Sequence, residues 1–314
     1  MNKALCVGIN SYENLPDLTA CETDAQNVSK LLRSHGDGNP NFGVDLQTGQ
    51  VTERKLKRMI EELFSDPNDV ALLYFAGHGI VTSTGGFLMT ADAMAYDWGV
   101  GMSDVLLLAN NSPAKSKIII LDCCHSGAIS QNKLTGGNHA LIGDGVSVLA
   151  ASRTDEVASE SNRGGLFTSL FIAALEGSAA DVLGTITMGS AYAFVDQALG
   201  PWDQRPIFMT NVSSYTPIRK IRPRVPIELI RSLRQHFGSP IEEFPLDPSY
   251  EDSEIEHAKP ENIATFKQLQ KLTGIGLVEP VGEEHMYYAA MNSKSCRLTA
   301  MGRRYWQLAA SGRI

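Results

Sequence analysis

The chain has 314 residues, 43% hydrophobic and 20% charged, enough for an ordinary packed core with a smaller second domain. Its formal net charge of -8 argues against a protein built mainly around a nucleic-acid backbone. Five cysteines, two of them adjacent, make a poor disulfide framework and suit a reducing compartment. The apolar run near the start is too short for a secretory signal, and no segment has the roughly 18 apolar residues of a membrane span. A cytoplasmic location away from membranes is therefore expected.

In chain order, residues 4–9 form a compact apolar run, and residues 19–32 place Ala20, Ala25, Val28, Leu31 and Leu32 at helical spacing with acids near the start. Residues 35–49 are rich in Gly, Asn and Pro and read as a connection. Thr52 is suited to cap a helix through Phe64, with Leu56, Met59, Ile60 and Leu63 on one face. Residues 70–75 and 118–121 are uniformly apolar, as strands buried on both faces are. Residues 145–151 read as another strand, ahead of a polar loop and a helix over 166–175. Strands alternating with helices predict an α/β fold, a mostly parallel sheet flanked by helices, with its chemistry beyond the carboxyl ends of the strands.

A first domain is expected over 1–212 and a linker with a short helix, near 227–237, over 213–260. The linker begins with Pro217, Pro223, Pro226 and the basic set Arg219, Lys220, Arg222 and Arg224, and is strongly acidic from 242. Residues 261–314 read as a small module: a helix over 263–272, strands at 277–280 and 286–290, and a last helix capped by Thr299. Two helices and a two-stranded wing suggest a winged-helix-like domain. Its end carries Lys294, Arg297, Arg303, Arg304 and Arg313 with Tyr287, Tyr288, Tyr305 and Trp306. That composition suits nucleic-acid contact, protein docking, or a small aromatic core with solvated arginines.

Two motifs follow the buried strands: Ala76-Gly77-His78-Gly79, and Asp122-Cys123-Cys124-His125-Ser126-Gly127. A neutral imidazole can take a proton from a thiol, and the thiolate attacks carbonyl carbon well, so a Cys/His pair fits acyl transfer. Gly79 N–H, with that of the nucleophile, could supply oxyanion donors. Spacing alone does not choose between Cys123 and Cys124, and buried structural thiols would give the same pattern. Zinc is disfavoured because adjacent cysteines lack the usual ligand spacing. Neither a glycine-rich dinucleotide turn nor a Walker loop occurs in the expected context.

The ordered set KALCVGINSY, the 18–31 stretch with Thr23-Asp24-Ala25, YFAGHG, ILDCCHSG, ASRTDEVASE and GGLFTSLFIAALEG resembles the caspase-like cysteine peptidases, most closely the bacterial metacaspase-like branch, over residues 3–210. The resemblance implies Cys124 as nucleophile, His78 as base and Gly79 in the oxyanion hole, with Cys123 structural. It also implies that Asp24 and Asp122 line a pocket for Arg or Lys, whose charge two carboxylates would recognise. Self-cleavage at Lys133 is an expectation of the same kind, with Arg153 and Arg163 as alternatives.

Some relatives need calcium, and Asp144, Asp155, Glu156 and Glu160 offer oxygen ligands, but no ordered loop motif supports a metal and none is expected. The implied function is a regulated endopeptidase in bacterial antiviral defence or cell death, acting on protein or peptide substrates and docked to a regulatory protein through its C-terminal module. The alternative is an inactive scaffold that recruits nucleic acid or a protein.

Overall fold

The computed structural model describes residues 1–123, 129, 141–151, 160–161, 164–201, 203, 205–252 and 258–314. It divides into two compact units, Met1–Arg222 and Pro223–Ile314.

The first unit runs β1 (Asn2–Gly8), α1 (Cys21–Arg33), β2 (Phe42–Thr48), α2 (Glu53–Ser65), β3 (Val70–Gly77), β4 (Gly79–Thr82), β5 (Gly85–Leu88), β6 (Val100–Gly101), α3 (Met102–Asn111), β7 (Ser116–Cys123) and β8 (Val146–Ala150). It continues with β9 (Glu160–Ser161), β10 (Gly164–Gly165), α4 (Leu166–Ala173), a π turn (Ala174–Ser178), β11 (Thr185–Ile186), α5 (Met188–Ala198), β12 (Ile207–Asn211) and β13 (Arg219–Lys220).

Six strands form the main sheet in the order β12-β8-β7-β3-β1-β2. Its pairings are parallel except for β12, which runs antiparallel to β8. This is the expected mixed α/β architecture.

Alternation along the strands separates two cores. Leu73 and Phe75 of β3 and Ile119 and Leu121 of β7 pack with Leu56 and Ile60 of α2 and Val105 of α3. Leu72 and Tyr74, with Ile118 and Ile120, face the other way onto Val28 and Leu32 of α1, Phe171 of α4 and Val195 of α5. Both faces being covered explains why β3 is buried along its whole length. The Thr52 side chain caps α2 by accepting from the Lys55 N–H, as its position predicts.

Two readings of the first unit change. The 35–49 connection contains β2, an edge strand whose FGVDLQT sequence buries little besides Phe42. Within the 213–226 segment, read as connector, Arg219 is buried and β13 pairs with β11.

The second unit contains α6 (Ile227–Arg231), α7 (Leu233–His236), β14 (Glu243–Pro245), a 3-10 turn (Pro248–Tyr250), α8 (Pro260–Gly274), β15 (Val278–Val281), α9 (Met286–Met291), β16 (Ser295–Leu298) and α10 (Ala300–Ala310). The strand expected at 286–290 is the helix α9. Tyr287 and Tyr288 suggest a strand, but Met286, Ala289 and Ala290 are the buried positions, and that i, i+3, i+4 spacing is helical.

The sheet has three strands, in the order β14-β16-β15. β14 comes from the acidic segment read as a solvated link, where Leu246 and Ser249 are buried. Thr299 caps α10 through the Gly302 N–H. Gly302 has no room for a side chain, since a Cβ would stand 1.9 Å from the Leu277 carbonyl oxygen. Trp306 donates to the Phe237 carbonyl and Tyr305 is buried. Among the described residues, no helix is long and apolar enough to cross a membrane.

Candidate active site

Strands β3 and β7 end side by side, with Ala76 opposite Asp122 and Gly77 opposite Cys123. His78 is the next residue after β3 and is partly exposed. Its backbone N–H donates to the Tyr12 hydroxyl at 2.8 Å, and the two ring centroids lie 4.7 Å apart. The same packing requires a glycine before it, because a Cβ on Gly77 would stand 2.6 Å from the Tyr12 hydroxyl.

The ring itself is held from the far side, with His78 Nε2 2.8 Å from the Pro16 carbonyl oxygen. A carbonyl can only accept, so Nε2 carries a proton, and in the neutral form of the ring Nδ1 is then the acceptor. Pro16 belongs to the loop after β1, which is tied down by the bonds from Ile9 N–H to Ala76 and from Leu18 N–H to Asn10.

Gly79 opens β4. The Met89 N–H donates to the His78 carbonyl, which makes the adjoining Gly79–Leu88 pair a non-hydrogen-bonded one. The Gly79 N–H therefore points away from β5.

Two carboxylates converge on the start of α4. Asp24, in the first turn of α1, is 7% exposed and accepts the Gly165 N–H. Burial pushes its carboxyl above the usual range, and the Gly165 bond pulls the other way. Asp122 lies on the β7 face shared with Tyr74 and accepts a hydrogen bond from Thr168 Oγ1. A Cβ added to Gly165 would stand 3.2 Å from Asp122 Oδ2. The structure thus brings together Asp24 and Asp122, which lie far apart in the chain.

Cys123 is 3% exposed and packs in the α2 and α3 core. Cys124, Lys133, Arg153, Arg163, Asp155 and Glu156 lie outside the described residues, as does the side chain of Glu160. Asp144 sits at the amino end of β8, where its carboxylate accepts from Asn211 Nδ2 and its carbonyl from Lys117 Nζ. Among the described residues, no group of three or more His, Cys, Asp or Glu is placed to hold a metal.

The sequence reading missed Tyr12, Pro16, Tyr74, Gly165 and Thr168. Pro16 and Gly165 act through backbone atoms and leave no side-chain signal. Tyr74 did leave one, a hydroxyl in an otherwise hydrocarbon strand.

A family model described as a caspase domain matches residues 1–215. No curated protein sequence matches the chain significantly. Among solved structures, the chain is similar to protein GSU0716 of Geobacter sulfurreducens, with 16% identity and a TM-score of 0.51 over 71% of this chain and 98% of the other. It is also similar to caspase-1 of Spodoptera frugiperda, with 14% identity and a TM-score of 0.51 over 71% of this chain and 91% of the other. At these identities the two structures support the fold.

Proposed function

The chain belongs to the caspase-domain family, and from that premise we propose that it is a cysteine endopeptidase cleaving after Arg or Lys. In this reading the Cys124 thiol passes its proton to His78 Nδ1, and the thiolate attacks the scissile carbonyl carbon. The oxyanion is met by the Gly79 and Cys124 N–H groups, a kind of contribution worth roughly 3–4 kcal/mol per donor. Collapse breaks the C–N bond, the leaving amine takes the proton from His78, and water then hydrolyses the thioester with His78 as base.

The observation that carries this reading is the held imidazole. Its Nε2 is engaged by Pro16, Nδ1 is the acceptor, and it stands one residue past the last β3–β7 pair, Gly77 with Cys123. The next residue after Cys123 is Cys124. Preference for a basic residue is supported by the meeting of Asp24 and Asp122 at Gly165, where paired carboxylates suit a guanidinium.

We assign the Pro223–Ile314 unit to docking a regulatory protein, as a winged-helix-like module. Of the groups that suggested nucleic acid, Arg297 pairs with Glu279, Arg303 reaches the Leu298 carbonyl and Trp306 bonds the Phe237 carbonyl. These groups have polar partners within the unit itself. Tyr287 and Tyr288, 41% and 50% exposed, are the aromatics presented outward. A defence or cell-death role is the context that the resemblance implies for such a regulated enzyme.

The test is hydrolysis of fluorogenic Arg, Lys and Asp peptides by the full chain and by Cys124→Ala and His78→Ala, with and without calcium. Cleavage after Arg or Lys that both substitutions abolish is expected. A preference for Asp would remove the roles of Asp24 and Asp122, and activity surviving in Cys124→Ala would remove the nucleophile.

A further inference from the structure

Tyr74 occupies the middle of β3 and is fully buried, where a phenylalanine would fill the same hydrocarbon space. Its hydroxyl has a specific partner, Thr168 Oγ1 at 2.8 Å. Thr168 is itself fully buried, in the first turn of α4, and its hydroxyl hydrogen bonds Asp122 Oδ2.

The direction of this chain follows from proton counting. An ionised carboxylate can only accept, so Thr168 must donate its one hydroxyl proton to Asp122. Thr168 Oγ1 is then left as the acceptor, and Tyr74 must donate to it. A protonated Asp122 would remove the reason for that order. Both bonds therefore point toward, and stabilise, the charged form of the half-buried Asp122, and with Tyr74 and Thr168 fully buried each bond strengthens the other.

We propose that Tyr74 and Thr168 form a buried hydroxyl relay that keeps Asp122 ionised and aimed, making both of them positioning residues that set the preference for a cationic side chain. The proposal rests on the reading of Asp122 as a pocket carboxylate.

The surroundings show why such a device is needed. The titratable groups that meet at Tyr74 are Asp122 from β7 together with Asp24 and Cys21 from α1. From α4 come the Thr168 hydroxyl and the N-terminal backbone, whose Gly165 N–H goes to Asp24. Cys123 packs in the core on the other face of the sheet. Two carboxylates near one glycine disfavour each other's ionisation. Burial pushes the Asp24 carboxyl up against the pull of its backbone bond, while the hydroxyl relay holds the charge on Asp122. An incoming guanidinium or ammonium then meets a defined anion.

The experiment uses the full-length protein with Tyr74→Phe, Thr168→Val and Thr168→Ser. Benzamidine, an amidinium probe, is titrated calorimetrically from pH 5 to 9, alongside Arg-peptide kinetics and a thermal melt of each variant. The relay favours the ionised form, so its loss moves the acid limb of binding to higher pH.

Thr168→Val is expected to weaken benzamidine about tenfold at pH 6, the scale of one hydrogen bond to a charged group, with the gap narrowing toward pH 8.5. Tyr74→Phe shifts the same way by about two- to threefold. Thr168→Ser, which keeps the hydroxyl, binds like wild type. In the kinetics the change appears in KM and leaves kcat near wild type.

A loss that does not vary with pH, or that Thr168→Ser shares, overturns the relay and leaves a packing role. Tyr74→Phe, a change of one buried atom, decides the matter if Thr168→Val fails to fold; an unshifted acid limb in it overturns the relay. Wild type that binds benzamidine with this pH dependence but cleaves no peptide ends the peptidase reading and leaves the relay standing. Wild type that cleaves after Arg while the variants match it ends the relay alone. Wild type that neither binds benzamidine nor cleaves basic peptides ends both.

Discussion

Asp24 is 7% exposed, and burial holds its carboxyl above the usual range, so the fold disfavours the ionised group that a basic side chain would pair with. The folded state holds this proton more tightly than the unfolded chain does. The group's contribution to stability is therefore full below the ordinary aspartate value, is lost as pH rises through the raised one, and stays low above it. Asp24→Asn keeps an oxygen for the Gly165 N–H but removes the buried charge. It should raise the melting temperature at pH 7, flatten this part of the pH–stability curve, and lower kcat/KM for Arg peptides by roughly 10- to 100-fold. Calorimetry and peptide kinetics on one preparation check both halves. A lower melting temperature at pH 7 would contradict the electrostatic part.

Such residues differ in how far sequence reveals them. His78 is legible from its place between glycines after an apolar run, because that context puts an imidazole at a strand end. Asp24 and Asp122 become a pair only through resemblance to a family, since nothing in their spacing says that both reach Gly165. Pro16 contributes a carbonyl oxygen that any residue would have, so its contact with His78 is invisible before the chain is folded.

Among the elements, those with strong periodicity were the legible ones. The α2 helix announces itself by Thr52 and by its apolar face, and β3 by its uninterrupted hydrophobic run. Edge strand β2 was hidden because Gly43, Asp45 and Gln47 interrupt its apolar residues in a stretch already rich in turn formers. Residues 213–222 were hidden by their composition, as basic residues beside prolines usually mean an exposed connector.

Arg219 is the exception that holds elements together. Its guanidinium donates to the Ser34 carbonyl just past the end of α1 and to the Leu175 carbonyl in the π turn after α4. These are two helix ends whose carbonyls lack intrahelical partners. Arg219→Met should destabilise the first unit by about 1–3 kcal/mol, as one buried and one part-buried acceptor lose a charged donor. Urea unfolding followed by circular dichroism measures this, and an unchanged midpoint would show that the carbonyls find other donors.

At the scale of the molecule, the first unit gathers its candidate site at one end of a mostly parallel sheet and has contacts such as Lys117 with the Asp144 carbonyl at the other end. This division follows from β1, β3, β7 and β8 running the same way, which brings His78, Asp24 and Asp122 toward a single rim. The mostly parallel α/β architecture was legible because strands and helices alternate along the first 200 or so residues. The second unit was harder to read, because its small sheet is assembled from short strands, one of them inside an acidic segment.

The proposed activity requires one nucleophile served by one imidazole beside a pocket for basic side chains. The most direct measurement is labelling of the full-length protein with a peptidyl-arginine acyloxymethyl ketone, with the adduct located by peptide mapping in wild type, Cys124→Ala, His78→Ala and Asp24→Asn. One adduct per chain on Cys124 is expected, absent in Cys124→Ala and strongly slowed in the other two. An adduct on Cys123 or Cys21, or labelling equally fast with an aspartyl reagent, would contradict it.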